Sequence, residues 1–184
     1  MLGPQWQALV KVIAELLESA KAGGTFEIQT YAKRYGSSPY TSPYIQGRWE
    51  IGIFEVELSG NLQLVPQLDE YEQDVLEFLG WNRPEVSPEE FRDNPGGNPN
   101  FTRYFVPEHS TEFIAEVILS ALVTVNHVDE QDFWAFGGKR SADKVDGMGL
   151  MGRLKYSQGN PDRVIFALPG FHAELVEPSS EDHL

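Results

Sequence analysis

Apolar side chains between residues 6 and 20 fall at Trp6, Leu9, Val10, Ile13, Leu16, Leu17 and Ala20. Steps of three and four line them along one face of a helix, and Gly23 and Gly24 follow with the backbone freedom that a helix end uses. The period then changes. In "TFEIQTYAKR", Phe26, Ile28, Thr30 and Ala32 alternate with Glu27, Gln29, Tyr31 and Lys33, as in a strand with one buried face. "YGSSPYTSPY" is turn chemistry with prolines that cannot donate to a ladder. In "YIQGRWEIGIFEVELSG" the apolar parity runs through Trp49, Ile51 and Ile53 and switches to Phe54, Val56 and Leu58. A one-residue switch of face requires a bulge or tight turn near Gly52, or at Gly47 if two strands are involved.

Helical spacing returns in "QLDEYEQDVLEFLGW", where Leu68, Tyr71, Val75, Phe78 and Leu79 share a side and acids gather at the start. This second helix is expected to end at Gly80. Ser87, Pro88 and Glu90 have the spacing of a capping box with proline at the first helical position, which predicts a short helical turn. "RDNPGGNPN" reads as loop and "NFTRYFVP" as a short strand. Ile114, Val117, Ile118, Ala121, Leu122 and Val125 then mark a third long helix, capped by Ser110 or Thr111. "DFWAFGG" is a strand or an apolar anchor, and "RVIFAL" is a further strand. Helix, strands, helix, strand, helix and an extended tail make an α+β order rather than alternating βαβ.

Composition narrows what such a domain can do. At 184 residues, with 41% hydrophobic and 12% aromatic residues, the chain can bury a core of its own. It has no cysteine, which excludes disulfides, thiolate metal sites and thiol nucleophiles. The net charge is -14, and residues 61–132 hold 15 acidic side chains against 3 basic ones. That field repels phosphates, so neither nucleic acid nor membrane is expected as a partner. Apolar runs stay below the roughly 18 residues that span a bilayer, and Glu15 and Glu18 interrupt the first of them, so a soluble cytoplasmic protein is expected.

Candidate chemistry is sparse. His109, His127, His172 and His183 have no histidine or cysteine at metal-binding spacing, and His127 with Asp129, Glu130 and Asp132 reads as a polar helix terminus. "GMGLMG", Gly147 to Gly152, matches G-x-G-x-x-G literally. It follows the charged "KRSADKVD" instead of a strand, and only a short segment precedes the next turn signal, so the match is read as accidental. "FGGKRS" lacks the leading glycine of a phosphate loop, because Phe133 stands there. No cofactor, metal or catalytic residue is expected.

Four stretches carry a family resemblance: "YIQ" at Tyr44 to Gln46, "FEVELSGN" from Phe54 to Asn61, "LGWNRP" with Leu79, Gly80, Trp81 and Pro84, and "NPNFTRYF" from Asn98 to Phe105. With the Ala- and Val-containing helix after them, they resemble the TY-Chap domains, bacterial domains grouped with the YbjN-like proteins and class I type III secretion chaperones. The resemblance spans roughly residues 5 to 128. It implies an antiparallel β-sheet flanked by helices, an α-β-β-β-α-β-β-α sandwich, that binds a peptide or protein client without catalysis. The secretion chaperones dimerise, whereas the stripe on the first helix serves a homodimer seam or a monomer core equally well.

On that footing residues 1–138 are expected to form the chaperone-like domain, and 139–184 a glycine-containing extension with one or two strands and a frayed C-terminus. Aromatic side chains able to line a peptide groove are Tyr31, Tyr40, Tyr44, Trp81, Phe101, Tyr104, Trp134 and Phe136, and Arg103 could clamp a client carboxylate or carbonyl. The alternative is a small-ligand binder or an enzyme using the extension. Between Lys139 and Arg163 the extension has six basic residues against three acidic ones. It is therefore expected to fold back over the acidic face, with "RVIFAL" added to a sheet edge where a client strand would go.

Overall fold

The computed structural model describes residues 4–21, 25–36, 38, 40–50, 52–129, 133–139, 153–156 and 163–167. Helix α1 (Pro4–Ala20) leads into β1 (Thr25–Tyr31), a single 3-10 turn at Lys33–Tyr35, and the hairpin of β2 (Tyr44–Glu50) and β3 (Ile53–Leu58). Helices α2 (Glu70–Phe78) and α3 (Pro88–Asp93) precede β4 (Phe101–Phe105), and α4 (Thr111–Thr124) leads to β5 (Phe133–Lys139), β6 (Arg153–Tyr156) and β7 (Arg163–Ala167). The strands form one antiparallel sheet in the order β4-β3-β2-β1-β5-β7-β6. The class is α+β. One strand, β4, precedes α4 and β5 follows it, whereas the implied sandwich has two strands before its last helix.

The core lies between the sheet and the pair α1 and α4. Leu9, Ile13, Leu16 and Leu17 of α1 and Ile114, Ile118, Ala121 and Leu122 of α4 are at most 3% exposed, and the two helices pack along each other. Beneath them lie Phe26 and Ile28 of β1, Ile45 of β2, Phe54, Val56 and Leu58 of β3, and Phe101 and Phe105 of β4. Burying each large apolar side chain contributes about 1.5–3 kcal/mol, so this two-layer contact dominates stability. Phe54 links the sheet laterally, with ring centroids 5.5 Å from Phe26, 4.9 Å from Trp49 and 6.5 Å from Phe105. Thr30 shares the buried face because its hydroxyl donates to the Pro43 carbonyl at 2.7 Å.

Both glycines suspected in the β2–β3 run have distinct jobs. Gly52, at φ +74°, turns the hairpin between Glu50 and its partner Ile53, and the parity switch arises there. Gly47 lies within β2 directly opposite Phe26, whose ring occupies the place where a Cβ would stand.

The second helix differs from its expected face. Leu68 and Leu76 are buried, Val75 and Leu79 are half-buried, and Tyr71 and Phe78 point outward at 75% and 90% exposure. Its start and that of α3 follow the sequence signals. Asp69 and Glu72 form one capping box, and Ser87 and Glu90 form the other. Ser110, rather than Thr111, caps α4 by accepting the Phe113 N–H at 3.2 Å.

Candidate functional site

Side chains that alternate with the core on β1 to β4 line the sheet face opposite α1 and α4. Strand register arranges them in rows. Glu27, Gln46, Glu57 and Thr102 form one, Thr25, Arg48, Glu55 and Tyr104 form the next, and Gln29 stands against Tyr44. The face is polar and hydrogen-bonded within itself. Gln46 Nε2 donates to Glu57 Oε2 at 2.7 Å, Arg48 Nη2 lies 2.9 Å from Glu55 Oε2, and the Tyr104 hydroxyl donates to Glu55 Oε1 at 3.2 Å.

Loop 94–100 closes one end of this face. Asn98 Nδ2 donates to Glu57 Oε1 at 2.8 Å. Asn100 Nδ2 donates to the Tyr44 hydroxyl at 3.0 Å and to Glu57 Oε2 at 3.3 Å, while its Oδ1 accepts the Gly60 N–H at 3.1 Å. Burial pushes the Tyr44 phenol above its ordinary range against the Asn100 hydrogen bond, and the charges of Glu57 and Glu27 add to the rise. Tyr104 is raised by burial and by Glu55. Both phenols therefore stay protonated and keep a donor at neutral pH.

The structure brings Tyr31, Tyr44 and Tyr104 to this face and separates Tyr40, Trp81, Phe101 and Arg103 from it. Tyr31 and Tyr44 are half-buried and Tyr104 is 54% exposed. Trp81 and Phe101 are core side chains at 1% and 0% exposure. Tyr40 is exposed in the β1–β2 connection. Register places Trp134 opposite Thr30 and Phe136 opposite Ile28. Arg103 faces the core side, opposite Val56. Its Nη1 donates to the Leu79 carbonyl, its guanidinium lies 5.2 Å from the Phe105 ring centre, and burial lowers its pKa. It therefore satisfies a terminal carbonyl of α2.

This joint gives the sequence motifs a structural meaning. Gly80 adopts φ +87°, and a Cβ there would press on the Arg103 guanidinium at 3.1 Å. Trp81 then enters the core, Asn82 bridges to Thr102, and Asn98 and Asn100 pin the loop before Phe101. "LGWNRP" and "NPNF" thus build the α2–β4 connection.

Acidic residues of α2 are held by two arginines. Arg83 reaches three carboxylates one turn apart: Glu70 at 2.9 Å, Asp74, and Glu77 at 3.0 Å. Arg34 Nη1 bonds Glu72 Oε1 at 2.6 Å, where His127 Nε2 also approaches at 3.2 Å from a left-handed backbone at φ +51°. Burial alone would raise Glu72, but the Arg34 hydrogen bond and charge, the Asp69 N–H and His127 together bring it below its ordinary value. Among the described residues, no group of three His, Cys, Asp or Glu is placed to hold a metal ion. Within them, too, no helix is long and apolar enough to cross a membrane. Glu130 and Asp132, and the "GMGLMG" glycines, lie outside the described residues.

Sequence reasoning missed Gln46, Arg48, Glu55, Glu57 and Asn100 as members of this face. The polar parity of "YIQGRWE" and "FEVEL" was the signal for the first four, because residues alternating with a buried set must share the opposite side.

Residues 2–139 match the family described as T3SS (YopN, CesT) and YbjN peptide-binding chaperone 3. No curated protein and no solved structure matches the chain.

Proposed function

This chain belongs to the TY-Chap3 family of peptide-binding chaperones, and from that premise we propose that it is a non-catalytic module that captures an extended client segment across the sheet face bearing Tyr31, Tyr44 and Tyr104. The observation that carries this reading is the arrangement of Tyr104, Glu55 and Arg48 in one row beside Tyr44, Glu57 and Gln46. These phenols and carboxylates are already held in place by hydrogen bonds and ion pairs with their neighbours. A client that meets such a face loses less to ordering the protein, which favours binding. Tyrosine combines a broad apolar ring with a hydrogen-bonding tip, and suits a surface that grips varied peptides.

Charge sets the client class. On β1 to β4, Glu27, Glu55 and Glu57 outnumber Arg48 on the face, and residues 61–132 add their strong negative excess. The favoured client is an extended segment carrying lysine or arginine, which the long-range field would also steer toward the protein.

The test is an array of overlapping peptides of graded charge, probed with the folded full chain. Binding should concentrate on basic peptides, weaken with salt, and fall when Tyr104 and Tyr44 are both replaced by alanine. Binding that ignores peptide charge, or that survives loss of both tyrosines, would refute this face as the client site. A chain that retains no peptide at low salt would refute the function.

A further inference from the structure

Sheet edges decide where a backbone can pair, and the two edges of the family-matched region differ. On β4, Thr102 exchanges both backbone hydrogen bonds with Asn82, at 2.7 and 3.1 Å. Two residues after Tyr104, the Val106 N–H donates to His109 Nδ1 at 3.2 Å and its carbonyl accepts the His109 N–H at 3.0 Å. Backbone groups alternate in direction along a strand, so Tyr104 shares the outer edge with Thr102 and Val106 and is flanked on both sides by satisfied positions. An incoming strand would find no run of groups to pair with there, a recognised form of edge protection.

The opposite edge belongs to β5, which pairs with β1 along its length from Phe133 to Lys139. The family match also ends at residue 139. Beyond it the chain returns as β7, antiparallel to β5, with Phe136 against Phe166, Gly137 against Ile165, Gly138 against Val164 and Lys139 against Arg163. Strand β6 then covers β7 and becomes the outermost strand. It is four residues long, and two of these are Arg153 and Lys155. A short, charged strand is a poor template for further pairing.

We propose that the β6–β7 hairpin is an internal occupant of the β5 edge, a segment of the extension that holds the one pairing edge the matched region leaves open and must yield before another strand adds there. The proposal rests on the peptide-binding reading and deepens it, since β7 then exemplifies what this edge accepts. The displacing segment would be extended, apolar over about four residues and preceded by a basic one, as in Arg163-Val164-Ile165-Phe166-Ala167. Covering the edge lowers the apparent affinity of any strand that adds there in proportion to the fraction of time the edge is uncovered, so strand addition at β5 and release of the hairpin are one equilibrium.

Amide exchange on the isotope-labelled full chain tests this directly. Val164 and Ile165 are adjacent, so one of their N–H groups points toward β5 and the other toward β6, and the Val164→Pro/Ile165→Pro variant removes both. The amides of Phe136–Lys139 that point toward β7, alternate residues of that run, should exchange about tenfold faster or more in the variant, and an added unlabelled DRVIFAL peptide should slow them again. In the unaltered chain the same peptide should speed exchange at Arg163–Ala167 as it displaces β7, a readout that does not depend on the variant folding. Unchanged β5 exchange in a variant whose β3 and β4 amides remain protected would overturn the proposal. So would a peptide that leaves β7 exchange unaltered. A DRVIFAL peptide that binds the variant and the unaltered chain equally would also overturn it, while the client reading for the face stands. Exchange behaving as expected, with no array client found, would leave the hairpin's role intact and remove the client reading.

Discussion

Arg103 of β4 donates a hydrogen bond to the backbone carbonyl of Leu79, tying the end of α2 to the edge strand of the sheet. Its guanidinium also lies against Phe105 and under Gly80. Replacing Arg103 with alanine should cost about 2 kcal/mol, the scale of a charge-assisted hydrogen bond to a half-buried group. Arg103→Lys should recover only part of it, because an ammonium cannot both stack on the ring and present the planar fork. Urea denaturation of the three chains checks the order.

Phe78 and Trp81 are three residues apart with opposite environments, 90% and 1% exposed. Trp81→Ala should destabilise by about 3–5 kcal/mol, and Phe78→Ser should stay within about 0.5 kcal/mol of the unaltered chain. Thermal unfolding of both variants tests the orientation of α2, and a reversed ranking would contradict it.

Glu72 supplies a pH dependence. Its folded pKa is depressed, so the stability it contributes is complete above the unfolded carboxylate's value and fades as pH falls through the folded one. Stability of the unaltered chain relative to Glu72→Gln should be greatest above about pH 5 and shrink below about pH 4.3. Chemical denaturation of both across that range gives the difference. A gap that widens on acidification would contradict the assignment.

Arg83 is about one-third exposed, and its three carboxylate partners are 61–74% exposed, so its bridges are screened by solvent. Arg83→Gln should cost about 1 kcal/mol at low salt, because it leaves Glu70, Asp74 and Glu77 to repel one another along the helix. In about 1 M salt the difference should largely vanish, since the screening length is then about 3 Å. Melting curves at the two ionic strengths decide it.

Much of this architecture was legible from local pattern. Two-residue alternation located β1, three-and-four spacing located α1 and α4, and Ser87-Pro88 with Glu90 located α3, because each is a relation among near neighbours. Helix α2 exposes the limit of that reasoning. Tyr71 and Phe78 have core-like chemistry and helical spacing, yet the buried positions are Leu68, Leu76 and Trp81, whose choice depends on how the α2–β4 joint docks. Arg103 was unreadable for the same reason, since its partner is a backbone carbonyl 24 residues away. The tyrosines of the polar face were half legible. Strand parity put Tyr31 opposite the core, but joining it with Tyr44 and Tyr104 required the cross-strand register.

The pair Phe26 and Gly47 has a consequence for how the central hairpin finds its partner. Sliding β1 by two residues along β2 would keep the same face inward, so burial alone opposes such an error weakly. It would also bring Phe26 against Ile45 or Trp49 and set Gly24 or Ile28, not the aromatic ring, opposite the hollow at Gly47, so ring and hollow act as an alignment key that rejects the near-miss pairing.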